Sequence, residues 1–416
     1  MIGGMRAGYA QVPADLSAYT ARNKQTTAYF ATSSVLSLFD NFENSDRNAA
    51  YDNVWTEVKN ILETVENAVS PAIPNSDIAR YNALSYGETI DISSHTAQLF
   101  TLAKDLHSKT NGWFDPTVHP LVDLWGFTPR FNTLRYEPLM TYDRYYEGGL
   151  LPLPDARYIE ALQKLVGLDK VVLGGNETEG YTLTKNMPSV VIDGQTYEAK
   201  IDFGGIAKGY AVDVVVAMLQ EQGYSYGYFS NGGSSMKLML NGSAIQSAQK
   251  DARFRVGIRK PRPGADNSLS SFARVFVENR ALSTSGDYDH CYESDGIIIS
   301  HIIDPFTGYP TNIPEAGDGQ KGIATATIFH ASATESEGYS TALCAMPFEQ
   351  AIDFINTHLK DEMVILTLYD SEHEFYEVVT NIAEDSFDMQ DSAYHIASAL
   401  NNEGEIIYTG SFLAKP

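Results

Sequence analysis

Between Ile201 and Asp213 the chain reads IDFGGIAKGYAVD, and no other stretch restricts its folding as strongly. A carboxylate, two adjacent glycines, a lysine and a third glycine come immediately before an apolar, helix-like run. Glycine lets a backbone turn tightly and approach a ligand closely. A helix starting just after such a turn presents unpaired N–H groups and the positive end of its dipole. The segment therefore predicts a strand-to-helix turn shaped for a phosphate or diphosphate, with Lys208 as a positive arm. It is not a P-loop, because the G-x-x-x-x-G-K-[ST] spacing is absent. On these residues alone, a purely structural tight turn is the slightly stronger reading.

The 416 residues are enough for a large core and one or two domains. Net charge is −24, which argues against nucleic acid or an anionic membrane as the main partner, since both need a basic surface. It leaves room for an anionic small ligand, because a local cradle and a divalent cation reverse the field of one cleft. The two cysteines, Cys291 and Cys344, give no Cys-rich metal pattern and do not decide whether a disulfide forms. No run of 18 apolar residues is present, so no transmembrane helix is expected. The first 25 residues lack an apolar stretch of the secretory-signal type.

Residues 1–26 are polar and irregular and predict a mobile arm; residues 27–416 form the expected folded domain. The stretch Thr27 to Asp40 reads as a strand and its exit. Val54, Val58, Ile61, Leu62 and Val65 recur at helical spacing over about 48–68. Further helices are predicted from Ser94 to Lys109, near Asp155 to Val166, from Ala207 to Gly223 and after Thr334. Between them lie short β-like runs at 171–173, 189–192, 226–229, 253–258, 273–277, 297–303, 323–329 and 363–369. Successive strands with short turns and interspersed helices predict an α+β fold with largely antiparallel sheets. No βαβ alternation and no G-x-G-x-x-G supports a Rossmann fold. The Tyr- and Pro-rich stretch from Thr128 to Tyr158, with Tyr136, Tyr142, Tyr145 and Tyr146, fits a packed surface loop better than a lid or protein-docking surface.

Three more segments change the weight of the glycine turn: ALSTSGDY from Ala281, HIIDPFTGYP from His301 and GWFDPTVHPLVDLWGF from Gly112. With SDIARYN from Ser76 and STAL from Ser340, in this order and at these separations, the chain resembles the ApbE family of flavin transferases from about Tyr29 to about Met346. The resemblance implies a T-fold-like architecture of largely antiparallel sheets layered with helices. It implies Mg²⁺-dependent transfer of FMN from FAD to a Thr or Ser hydroxyl of an acceptor flavoprotein, with release of AMP. The rivals are an FAD pyrophosphatase and a non-catalytic FAD-binding or storage protein. Members are often exported and lipid-anchored, so the expected location is either intracellular or exported with the leader outside this chain.

The same resemblance supplies the expected site. Glu337 and Thr341 are four apart, so a helix puts both oxygens on one face. Together with the carbonyl of Ala207 they match the family's Mg²⁺ ligands, with Glu337 standing where the family has Asp. On spacing alone, an exposed Glu and a Thr bonded to its own helix fit better. Gly204, Gly205, Ala207 and Lys208 are the expected diphosphate cradle. Asp202 opens it, either as a cap or as a partner of adenosine. Ser283, Thr284 and Ser285 read as a hydroxyl-bearing turn at phosphate or ribose, or as an ordinary Ser/Thr turn. His301 is the expected flavin-site acid/base, Asp304 orients its loop or the phosphate side, and Ile303 belongs to the same flavin contact. Asn82 matches a position near the metal and diphosphate that is associated with the balance of transfer and hydrolysis. Asp115 and Pro116 read as turn architecture and Trp125 as core, with ring stacking on flavin the lesser alternative.

Overall fold

In the computed structural model the described residues are 20–128, 145–146, 149–150, 153–239, 253–261, 271–288, 290–294, 297–311, 322–369 and 376–411. Eight α-helices lie among them: α1 Ser45–Val69, α2 Asp77–Asn82, α3 Ser94–Lys109, α4 His119–Leu124, α5 Ala156–Gln163, α6 Ala207–Glu221, α7 Ala333–Ala345 and α8 Phe348–His358. The central sheet has nine strands, ordered Thr20–Thr26, Ser34–Asp40, Gly227–Asn231, Ser235–Met239, Ala281–Gly286, Ile323–His330, Met363–Tyr369, Tyr376–Thr380 and Tyr394–Ile396. Every neighbouring pair is antiparallel except the last. The α+β, mostly antiparallel expectation therefore holds.

Alternation along the strands sorts the two faces. Leu36, Leu38, Phe229, Ala281, Ala326 and Ile328 point to one face and share a core with α1, α3, α6 and α7. Leu238, Leu282, Phe329 and Val378 point to the other and pack against a three-stranded sheet of Phe254–Arg259, Ser271–Val277 and Phe387–Met389. A third cluster joins Leu121, Trp125, Ile159, Leu162 and Ile303. Glycine sets the closest helix contact: a Cβ on Gly209 of α6 would lie 2.3 Å from the Ala333 carbonyl oxygen of α7.

Several expectations need correction. Residues 20–26, assigned to the mobile arm, form an edge strand paired in full with Ser34–Asp40; polar composition conceals a strand whose side chains face solvent. Residues 1–19 lie outside the described residues, as do Tyr136 and Tyr142 of the Tyr-rich stretch. Helices α2, α4 and α8 are not among the predicted helices; α2 and α4 have six residues each, too few to show a helical period, and α8 follows α7 after a two-residue break. Ser283–Ser285 do not form a turn. They belong to strand Ala281–Gly286, hydrogen-bonded on both sides, because Thr and flanking apolar residues suit a pleated strand as well as a loop. The run at 297–303 stops as a strand at Ser300 and continues as a bridge between Ile303 and Pro310. Both cysteines are buried free thiols. Among the described residues no helix is long and apolar enough to cross a membrane.

Candidate functional site

The glycine turn is held from three directions. Asn82, the last residue of α2, grips the segment entering it: its Nδ2 donates to the Ile201 carbonyl at 2.9 Å and its Oδ1 accepts from the Ile201 N–H at 2.7 Å. That segment is irregular between the strand end at Tyr197 and the turn, and so is not the strand the sequence predicts. The Asp202 N–H donates to the Pro116 carbonyl at 2.9 Å. Asp202 Oδ1 accepts from the Gly204 N–H at 2.8 Å, while His119 Nδ1 lies 3.2 Å from Oδ2. Burial opposes ionisation of Asp202, but the His119 and Gly204 contacts hold its carboxyl below the usual range. Asp202 thus caps the turn and not the helix, since the N-cap of α6 is Ile206, which makes no side-chain bond. Asn82 acts as a clamp on the cradle, and both of its amide atoms are engaged with backbone.

Gly205 is the point where α7 closes in. A Cβ there would sit 3.2 Å from Phe114 and 3.5 Å from the Thr341 hydroxyl oxygen. On α7, Glu337 is 4 % exposed, in contrast to the exposed Glu that spacing favours. Its Oε2 accepts from the Gly209 N–H at 2.7 Å and its Oε1 lies 2.5 Å from Lys208 Nζ. Lys208 also donates to the Gly204 carbonyl at 3.2 Å. The Thr341 hydroxyl donates to the Glu337 carbonyl at 3.0 Å and lies 3.2 Å from Ser285 Oγ. The helix-bonded reading of Thr341 is thus realised, yet it leaves oxygen lone pairs available. The Glu337 carboxylate and the Thr341 hydroxyl, both hard oxygen donors, stand on one face of α7 against the glycine turn and the start of α6, where the Ala207 carbonyl is the expected third oxygen. This donor set fits Mg²⁺, which takes few protein oxygens and keeps places for phosphate and water.

Of the three strand hydroxyls, Ser285 reaches this point, bonding Ser340 Oγ at 2.8 Å. Ser283 is buried and bonded to Ser235 at 3.1 Å, and Thr284 pairs with Thr327 at 2.8 Å. His301 lies between the rings of Phe127 and His290. Its Nδ1 donates to the His290 carbonyl at 3.0 Å, which leaves Nε2 as the acceptor nitrogen. Burial, then the neighbouring His290 and Lys208 charges, push its pKa down to about 3, so the ring is neutral at ordinary pH. Asp304 is buried and its Oδ1 accepts from the Phe306 N–H at 2.7 Å and the Thr307 N–H at 3.2 Å, so it shapes the turn after His301. The side chain of Ile303 belongs to the core and leaves only its backbone for a ligand.

Asp115 Oδ1 accepts from the Thr117 N–H and hydroxyl, and Trp125 is 2 % exposed with its indole N–H on the Gly308 carbonyl, both as expected of turn and core. Sequence reasoning missed the hairpin Asn231–Gly232–Gly233. Gly232, at φ +81, brings it within 3.5 Å of the Lys208 stem, measured from its ideal Cβ. The adjacent glycines after a strand were the available signal.

The ApbE family profile matches residues 31–366. The chain belongs to the ApbE family. An FAD:protein FMN transferase of Vibrio cholerae is 29 % identical over 297 residues, covering 71 % of this chain and 74 % of that protein. One from Escherichia coli K12 is 26 % identical over 299 residues, 72 % of each chain. The flavin transferase ApbE of Vibrio cholerae superimposes with a TM-score of 0.64 at 24 % identity, over 87 % of this chain and 97 % of that one. The apo flavinyl transferase ApbE of Pseudomonas stutzeri does so at 0.66 and 22 %, over 88 % and 96 %. This ApbE-family chain thus carries the fold over nearly the whole length of those neighbours.

Proposed function

We propose that the protein is an Mg²⁺-dependent FAD:protein FMN transferase. The observation that carries this is the convergence of the Gly204–Lys208 cradle with Glu337 and Thr341 of α7, in a chain whose relatives are named for that activity. Gly204, Gly205 and the start of α6 would receive the diphosphate, and Lys208 would balance its charge. Glu337, Thr341 and the Ala207 carbonyl would hold Mg²⁺, which draws charge from the anhydride. The acceptor's Thr or Ser oxygen forms a bond to the FMN phosphorus as the bond to the AMP oxygen breaks, and AMP leaves. Neutral His301, with Nε2 as its acceptor nitrogen, would orient the acceptor hydroxyl; a pKa of about 3 makes it too weak a base to keep the proton, which ends on the released AMP phosphate or in water. Asp304 keeps its loop in shape, and Asn82 keeps the cradle at its height.

Incubation with FAD and Mg²⁺, with and without an acceptor flavoprotein, tests the reading. Flavin bound to the acceptor, with AMP released only or mainly in its presence, is the expected result. Equal AMP without acceptor would make the protein a pyrophosphatase, and no AMP at all a binding protein. Thr341→Ala should lower Mg²⁺-dependent AMP release by about 100-fold or more while the melting temperature stays near that of the native chain.

A further inference from the structure

The last residue of the glycine segment, Asp213, has no part in the chemistry described above. It lies on α6, four residues beyond Gly209 and so on the same face. Its Oδ2 accepts from the Ser332 hydroxyl at 2.7 Å, the Thr334 N–H at 2.9 Å and the Thr334 hydroxyl at 2.8 Å. Its Oδ1 accepts from the Ala333 N–H at 2.9 Å, and Lys237 Nζ lies 3.6 Å away. One carboxylate on α6 therefore gathers the first N–H groups of α7.

The contacts of α7 with α6 and the turn that leads into it step by four on both segments, in opposite directions. Gly205 faces Thr341, the Gly209 N–H meets Glu337, and Asp213 meets Ala333 and Thr334. Three rungs of one ladder set α7 against α6. Two of them carry the cradle and the oxygen ligands; the third carries Asp213. Sliding α7 by one residue moves its side chains about 1.5 Å along the axis, enough to spoil a coordination set.

We infer that Asp213 is a positioning residue: it locks the register of α7 on α6 and so holds Glu337 and Thr341 at the height of the Ala207 carbonyl. The inference rests on the Mg²⁺ reading of that site. An amide at 213 would place a donor where Ala333 N–H and Lys237 already point, so Asp213→Asn breaks the lock without changing the side chain's size.

The test measures Mg²⁺ binding calorimetrically, with FAD present, beside melting temperature and FAD binding without metal. Asp213→Asn should weaken Mg²⁺ binding about 10-fold or more while metal-free FAD binding changes little. Leu219→Ala, in the core of α6 and away from the rungs, should lose as much melting temperature yet bind Mg²⁺ like the native chain. Thr334→Ala removes one donor to Asp213 and should weaken Mg²⁺ binding, whereas Thr334→Ser keeps the hydroxyl and should restore it. That pair decides the matter if Asp213→Asn does not fold. Mg²⁺ binding in Asp213→Asn or Thr334→Ala no weaker than in Leu219→Ala overturns the inference. If the native chain binds no Mg²⁺, or Thr341→Ala binds it equally well, the site reading fails and takes this inference with it. Loss in Thr341→Ala with no loss at 213 or 334 removes the inference alone.

Discussion

His301 shows how one side chain acquires its chemistry from its surroundings. A histidine in water titrates near 6.5. Here desolvation of a partly buried ring against Phe127 and His290, with the His290 and Lys208 charges nearby, pushes the pKa down to about 3. Between those two values the unfolded chain holds the additional proton, so stability is lost as pH falls from about 6.5 toward about 3. His301→Gln should flatten that loss in urea melts taken at pH 7 and pH 4.5. A ring-proton NMR titration of the native chain should show His301 still neutral at pH 5. A midpoint near 6.5 would place the ring in water and remove the stated cause. The residue types were legible: His, Asp and Pro before a Gly turn point to a built loop. The protonation state was not, because it depends on neighbours brought in from residues 127 and 208.

At the scale of elements, the crossing of α6 and α7 makes the site. Alanine exceeds glycine in helix propensity by about 1 kcal/mol, so propensity favours Gly209→Ala. Packing opposes it, because the new Cβ would meet the Ala333 carbonyl oxygen at 2.3 Å and the Thr334 Cα at 2.9 Å. These are backbone atoms that cannot rotate aside, so the helices must separate. A net loss of about 2–3 kcal/mol in chemical denaturation is expected, with the Gly209–Glu337 hydrogen bond lost as well. A variant within 0.5 kcal/mol of the native chain, flagged by roughly unchanged denaturation midpoints, would show that the crossing tolerates separation. The start of α6 was readable from glycines before an apolar run. That its third glycine serves a helix contact, and not the ligand turn, was not readable, since the partner lies more than 100 residues away in sequence.

The whole molecule is organised by one sheet that carries helices on one face and a small sheet on the other. Tyr394 joins the two sheets, stacking on Phe272 at 4.4 Å and on Tyr376 at 4.5 Å between ring centroids. It is 4 % exposed. Tyr394→Ala should cost about 3–5 kcal/mol through lost burial and the cavity left behind. Because both sheets share that ring, far-ultraviolet and near-ultraviolet circular dichroism should melt at one midpoint in the native chain. Two separated midpoints there would mean that the small sheet unfolds as an independent unit. Mg²⁺ and FAD binding by the folded fraction should survive the substitution, since Tyr394 lies at the sheet's far edge from α6 and α7.

By itself the amino-acid sequence determined the α+β class, the start of the cradle helix, the pairing of Glu337 with Thr341 on one helical face and the family. Each of these rests on local spacing or on contiguous motifs, which survive being read along a line. Only the tertiary structure decided that residues 20–26 are an edge strand, that Ser283–Ser285 are strand and not turn, and that Glu337 is buried against Lys208 and Gly209. It alone assigned Asn82 to a backbone clamp and Asp213 to the neighbouring helix. These depend on which distant groups meet across the sheet and between helices. A hydrogen-bonding side chain declares its capacity in sequence, but its partner is set by packing.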